Sequence, residues 1–140
     1  MTTAVDTNVI VALWDAGDTL HQAARKALDT AWNKEQLVIS GVVYAELIAA
    51  PGRSEGFVDR FCEDARIRVE WELKEQVWRL AGAAYRRYAE RRRKQSGAEP
   101  RRLLADFVIG AHAQESGYKL LSADAAVYRR AFPELAVEVM

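Results

Sequence analysis

Cysteine is nearly absent from this chain. Cys62 is the only one in 140 residues, which excludes an internal disulfide framework and a cysteine-rich zinc site. Its place on an apolar helix face reads as that of a small packed residue. Histidine is scarce too, with only His21 and His112. His112 falls six residues beyond Asp106 on one helix and His21 on another, so packing or surface roles are expected. There is neither a reactive thiol pair nor a Gly-x-Ser-x-Gly, and covalent hydrolase chemistry finds no support. No run approaches the ~20 apolar residues that span a bilayer. The opening Met-Thr-Thr-Ala-Val-Asp has no basic region and no cleavable apolar stretch. A cytoplasmic protein with no membrane partner is expected. Net charge is missing as well, because 20 basic residues balance 20 acidic ones. The chain is therefore neither a disordered polyelectrolyte nor globally basic. No repeat, low-complexity segment or linker divides it. Half of it is hydrophobic, so residues 1–140 are expected to form one domain with a sizeable core.

What is present is an alternation of short apolar runs with helical periodicities. Thr3 to Asp6 reads as a strand, and Thr7-Asn8 as a cap for a helix from Val9 to Trp14. Leu20, Ala23, Ala24, Ala27, Leu28 and Ala31 mark a helix over about 19–35. A strand is expected over 36–39, then a helix over 41–50 with Ser40 as its N-cap, stopped by Pro51-Gly52. A helix over about 55–65 leads to a strand over 67–71. The longest helix covers about 74–94 and is broken by residues 96–100. Leu103 to Ser116 forms a helix ended by Gly117. A strand over 118–121, a helix over 125–131 and a strand over 135–139 complete the chain. The order βααβααβααβαβ predicts an α/β fold of three layers, α/β/α, around a mainly parallel central sheet. Strand order is not legible in it.

In such a chain strand ends and helix starts share one edge, where ligands of open α/β sheets bind. Four carboxylates project there: Asp6, Glu46, Asp106 and Asp124. Asp6 ends a strand and alone reads equally as an N-cap or turn residue. Glu46 shares its helix face with Val43, Leu47 and Ala50, where an unpaired carboxylate is costly. It needs a metal or a core salt bridge. Asp106 shares its face with Ile109, Gly110 and Ala113, and its place in a first turn also suits the helix dipole. Gly110 would let another element approach closely. Asp124 follows a strand and has the alternative of capping the last helix, with the Ser122 hydroxyl beside it. Four acids at one edge repel one another unless a cation neutralises them. A divalent metal site is expected, and with it phosphate chemistry.

The motifs in order resemble those of PIN-domain nucleases over essentially the whole chain. Asp6-Thr7-Asn8-Val9-Ile10-Val11-Ala12-Leu13 is similar to the family's opening motif, and Tyr44-Ala45-Glu46-Leu47 to its central glutamate motif. Ala105 to Ala113 resembles the third motif. Leu120-Leu121-Ser122-Ala123-Asp124 resembles the fourth, with serine where threonine is frequent. The stretch Tyr128 to Pro133 looks like the end of many VapC-type toxins. The resemblance implies a PIN-like fold and a ribonuclease dependent on Mg2+ or Mn2+, usually the toxin of a toxin–antitoxin pair. It would hydrolyse RNA phosphodiester bonds to a 5′ phosphate and a 3′ hydroxyl. On that reading Asp6 and Asp106 are the most direct metal ligands. Glu46 ligates through water or helps deprotonate it, and Asp124 completes a second, weaker position. Thr7, Asn8 and Ser122 are donors that hold the carboxylates in place. The rival reading is a catalytically silent RNA- or protein-binding module on the same fold.

Neutral overall, the chain is asymmetric. Arg86, Arg87, Arg91, Arg92, Arg93, Lys94, Arg101 and Arg102 face only Glu90 and Glu99 between positions 86 and 102, giving that segment +6 and the remainder −6. One reading is a solvated helix end suited to the helix dipole. The other is a phosphate-tracking patch with Tyr85 or Tyr88 to stack on a base. The same patch would equally suit acidic residues of an antitoxin. Val77, Trp78, Leu80, Ala81, Ala84, Tyr85 and Tyr88 read mostly as a core stripe. Trp14, Trp32, Trp71 and Trp78 are many large aromatics for so short a chain, and some are expected to serve a homodimer or an antitoxin groove.

Overall fold

The computed structural model describes residues 1–96 and 102–140. Its elements are β1 (Thr2–Val5), α1 (Thr7–Trp14), α2 (His21–Lys34), β2 (Gln36–Ser40), α3 (Gly41–Ile48), α4 (Glu55–Asp64), β3 (Ile67–Glu70), α5 (Glu75–Ser96), α6 (Leu104–Ser116), β4 (Lys119–Ser122), α7 (Ala125–Ala131) and β5 (Val137–Val139). The order is the one the sequence predicts. The break expected over 96–100 falls almost wholly on residues 97–101, outside those described.

The strands lie in the order β3-β2-β1-β4-β5 and every pairing is parallel. A parallel sheet must be covered on both faces, and the central strands are made for that. Val5, Val38, Ile39, Leu120 and Leu121 are all buried. By the right-handed crossover rule, α1 to α4 cover one face as the chain steps from β1 to β3. The return from β3 to β4 reverses direction and carries α5 to α7 over the other. The core joins both layers, with Val9, Ile10 and Leu47 from one and Phe107, Tyr128 and Phe132 from the other. The strand order reverses between β1 and β4, and this switch point is where ligands of such sheets bind.

Local chemistry sets the element ends. The Ser40 side chain caps α3 through the Val43 N–H, and Gly117 ends α6 at φ 74°, the left-handed region where glycine meets no Cβ penalty. One expectation fails: Thr7-Asn8 does not cap α1. Asp6 is its N-cap, with the carboxylate accepting from the Thr7 N–H, and the helix begins at Thr7. Trp78 also leaves the core stripe of α5. It is half exposed, since Val77, Ala81 and Ala84 already fill the buried face. Among the described residues, no helix is long and apolar enough to cross a membrane.

Candidate functional site

Asp6 follows the last residue of β1, and its N–H donates to the Leu121 carbonyl of β4 at 2.9 Å. That bond sets the side chain at the switch point. Only 4% of Asp6 is exposed, yet its carboxylate is fully engaged. Oδ1 accepts from the Thr7 N–H at 2.8 Å, while Oδ2 accepts from the Ser122 hydroxyl and the Tyr128 hydroxyl, each at 2.8 Å. Ser122 is itself oriented, accepting from the Asp124 N–H at 3.0 Å. Asn8 joins the two strand ends, its Oδ1 accepting from the Ala123 N–H at 3.0 Å. Thr7 donates its hydroxyl to Glu46 Oε1 at 2.6 Å, so the opening turn of α1 reaches two of the acids. Glu46 is half-buried on α3, and among the described residues its partner is this hydroxyl rather than the basic residue of a core salt bridge.

Asp106 occupies the first turn of α6. Burial pushes its carboxyl up to about 6; the charges of Asp6, Glu46 and Asp124 add to the rise, and Arg102 opposes it. All four acids thus act in one electrostatic field. The Asp6 carboxyl is raised as well, by burial first and by Asp124 in addition, against the hydrogen bonds from Tyr128, Ser122 and Thr7. Asp124 stands at the N-cap position of α7 but makes no capping hydrogen bond. Its Oδ2 accepts instead from Arg102 Nη2 at 2.5 Å. The capping alternative for Asp124 is therefore replaced by an ion pair.

Among the described residues, no three His, Cys, Asp or Glu side chains are gathered as a metal-ligating cluster. The acids share a field without being closed on one point. Mutual repulsion and the pull of Arg102 on Asp124 both favour a spread arrangement. The donor set nevertheless fits a hard divalent cation: every donor is an oxygen, and raised carboxyls show a concentration of negative charge that a cation would relieve.

Tyr128 is the residue that sequence reasoning missed. It is 1% exposed, and burial together with the charge and hydrogen bond of Asp6 raises its hydroxyl far above the usual range. It therefore stays protonated, and a donor, in neutral solution. Tyr128→Phe is expected to destabilise the ionised form of Asp6 by about 1.5–3 kcal/mol, the worth of a hydrogen bond to a charged group. Thermal unfolding followed against pH checks this. The deficit should be largest where Asp6 is ionised and should shrink once acid protonates it.

The basic segment divides. Arg86 pairs with Glu90 at 3.1 Å, and Arg102 pairs with Asp124. Arg87, Arg93 and Lys94 are exposed, Arg91 and Arg92 half-buried, and Arg101 lies outside the described residues. Burial lowers the Arg91 guanidinium, and the neighbouring charges of Arg130 and Arg87 add to the effect. Arg130, on α7, is a member of this basic group that no local pattern could reveal. His112 is a packing residue, buried with Nε2 2.8 Å from Glu70 Oε1. Tyr118 donates to the same glutamate at 2.7 Å. Burial raises the Glu70 carboxyl, but hydrogen bonds from Tyr118, His112 and Arg68 outweigh it and hold the group below its usual value. Cys62 is buried, which pushes its thiol up to about 11.

The model of the PIN-domain family matches residues 3–133. The chain belongs to the PIN-domain family. This PIN domain is similar in fold to VapBC2 of Rickettsia felis, solved bound to a DNA fragment from its promoter. The two share 18% identity and a TM-score of 0.68, over 99% of this chain and 98% of that one. VapBC-1 of nontypeable Haemophilus influenzae shares 21% identity and a TM-score of 0.67, again over 99% and 98%. VapC20 of Mycobacterium tuberculosis, a toxin that cleaves the sarcin–ricin loop, shares 20% identity and a TM-score of 0.57 over 96% and 98%. At these identities the likeness establishes the fold. No curated protein sequence matches the chain.

Proposed function

We propose that this PIN domain is a metal-dependent endoribonuclease, using Mg2+ or Mn2+, and the toxin of a type II toxin–antitoxin pair. The observation that carries the proposal is Asp6. It is a buried carboxylate at the switch point, held by three donors and sharing its field with Glu46, Asp106 and Asp124. A bound divalent cation would supply an activated water and neutralise charge on the scissile phosphate and the leaving 3′ oxygen. Asp6 and Asp106 would hold it. Ser122, Tyr128 and the Thr7 N–H keep Asp6 in one orientation, and the Thr7 hydroxyl fixes one oxygen of Glu46, leaving that carboxylate placed to accept a proton from water. Asp124 completes the acidic rim.

Recruitment of a polyanion to an acidic pocket calls for a cationic border. Arg87 and Arg91 of α5 and Arg130 of α7, whose charges act on one another, are the candidates for it. Replacing Arg87, Arg91 and Arg130 with Gln is expected to weaken RNA binding and lower the slope of log affinity against log salt by about one per lost phosphate contact. Filter binding across a salt series measures both. An unchanged slope would assign the patch to a protein partner.

The antitoxin reading rests on the fold neighbours described above as VapBC structures. Exposed Trp71, Trp78 and Trp32 are the candidate anchors for an antitoxin or for a second copy of the chain. The nuclease reading is tested by incubating the purified protein with structured and unstructured RNA, with Mg2+, Mn2+ or EDTA. Cleavage that needs the metal supports it. Cleavage that persists in EDTA excludes it, and no cleavage of any RNA favours the silent binding module.

A further inference from the structure

A basic side chain is in hydrogen-bond contact with one of the four acids. Arg102 Nη2 lies 2.5 Å from Asp124 Oδ2, and both side chains are partly open to solvent, at 40% and 37% exposure. The Arg102 backbone is fixed separately, its N–H donating to the Tyr88 hydroxyl of α5 at 3.1 Å. The guanidinium therefore sits at the end of a long side chain whose root is anchored beside the first turn of α6. The charge also reaches past its contact, opposing the rise that the other acids impose on Asp106.

A guanidinium hydrogen-bonded to Asp124 and a divalent cation drawn to the same carboxylate repel each other, so each weakens the other's hold on it. A partly exposed ion pair is weakly held, whereas a doubly charged ion would be attracted by the combined field of the acids. Displaced from Asp124, the guanidinium remains within a side chain's reach of the acidic edge. Its planar fork matches two phosphate oxygens better than any other side chain does. We infer that Arg102 is a phosphate-positioning residue stored on Asp124: a divalent ion entering the acidic pocket displaces it, and it then binds the RNA phosphate held next to the acids. The inference rests on the metal-dependent RNA reading given above.

Opposite effects on metal and on RNA are the signature. Titration of metal-free protein with Mn2+ by calorimetry is expected to show roughly three- to tenfold tighter binding for Arg102→Gln, because a competing positive charge is gone. In an Asp124→Asn background the gain should shrink to about twofold, since the contact being competed for is gone and only the through-space effect of the charge on Asp106 remains. The KM for RNA in saturating Mn2+ should rise about fivefold or more with a smaller fall in kcat, and Arg102→Lys should recover part of it. A purely structural Arg102 would weaken both metal and RNA binding. Mn2+ affinity that is unchanged or weakened in Arg102→Gln, or a KM that does not move, overturns the inference while leaving the nuclease standing. A wild-type chain that binds no Mn2+ removes the underlying reading as well.

Discussion

Asp106→Asn should make the metal-free protein more stable at pH 8 while abolishing its ability to cut RNA. The folded chain holds the Asp106 proton up to about pH 6, against an ordinary value of 3.8. A raised carboxyl favours folding fully below the unfolded value, and that advantage is lost as pH rises through 6. Ionised Asp106 therefore costs the fold up to about 3 kcal/mol in neutral solution. Asparagine removes the charge at nearly constant shape. Discounted for partial solvent access, the gain at pH 8 should be about 1–2 kcal/mol, or a rise in Tm of roughly 3–7 °C. At pH 4 it should vanish. The variant should lose cleavage by roughly a hundredfold or more, since even the partners that orient a metal ligand are worth ten- to hundredfold. Mn2+ should then reverse the ranking, because an ion at a hundred times its Kd adds about 2.7 kcal/mol to the protein that binds it. Differential scanning fluorimetry at two pH values, with and without Mn2+, measures all of this.

Gly110→Ala should be the most damaging of the small substitutions. A Cβ at Gly110 would lie 2.3 Å from Cε2 and 2.6 Å from Cδ2 of Phe132. That ring is itself 1% exposed and has no open space to move into. Glycine's poor helix propensity makes alanine favourable by up to about 1 kcal/mol elsewhere, but overpacking here should cost about 3 kcal/mol or more. The damage should reach the site, because Phe132 closes α7 and α7 carries Tyr128 to Asp6. Urea denaturation should show a clear loss, with RNA cleavage falling alongside. Gly82→Ala supplies the contrast. Gly82 lies inside α5, and a methyl group there would meet nothing within 4 Å, so that variant should be neutral or slightly stabilised.

The order of elements is legible in the sequence because each strand is a short apolar run and each helix carries its own periodicity. The four acids are legible for a related reason: βα alternation sends every strand end and helix start to one edge. Even the close approach at Gly110 can be anticipated from a glycine on an otherwise apolar face. The contacts between distant residues cannot. Tyr128 and Asp6 stand 122 positions apart, and nothing local marks Tyr128 as other than a core aromatic of α7. In sequence the basic segment reads as one linear patch. Folding commits Arg102 to Asp124 and brings Arg130 of α7 towards Arg91. Asp6 reads from sequence as either a cap or a site residue. It is an N-cap that also lies at the switch point, because the turn leaving β1 places one oxygen on the helix and the other towards β4.

The proposed function requires that Asp6, Glu46, Asp106 and Asp124 form a divalent-metal site. The direct measurement is a calorimetric titration of metal-free protein with Mn2+ across the pH range around 6, repeated with Asp6→Asn and Asp106→Asn. The wild-type chain should bind, with affinity weakening as pH falls through about 6 while Asp106 takes up its proton. Binding should be largely lost in either variant. Absence of binding at millimolar Mn2+, or binding that neither substitution changes, would contradict the claim.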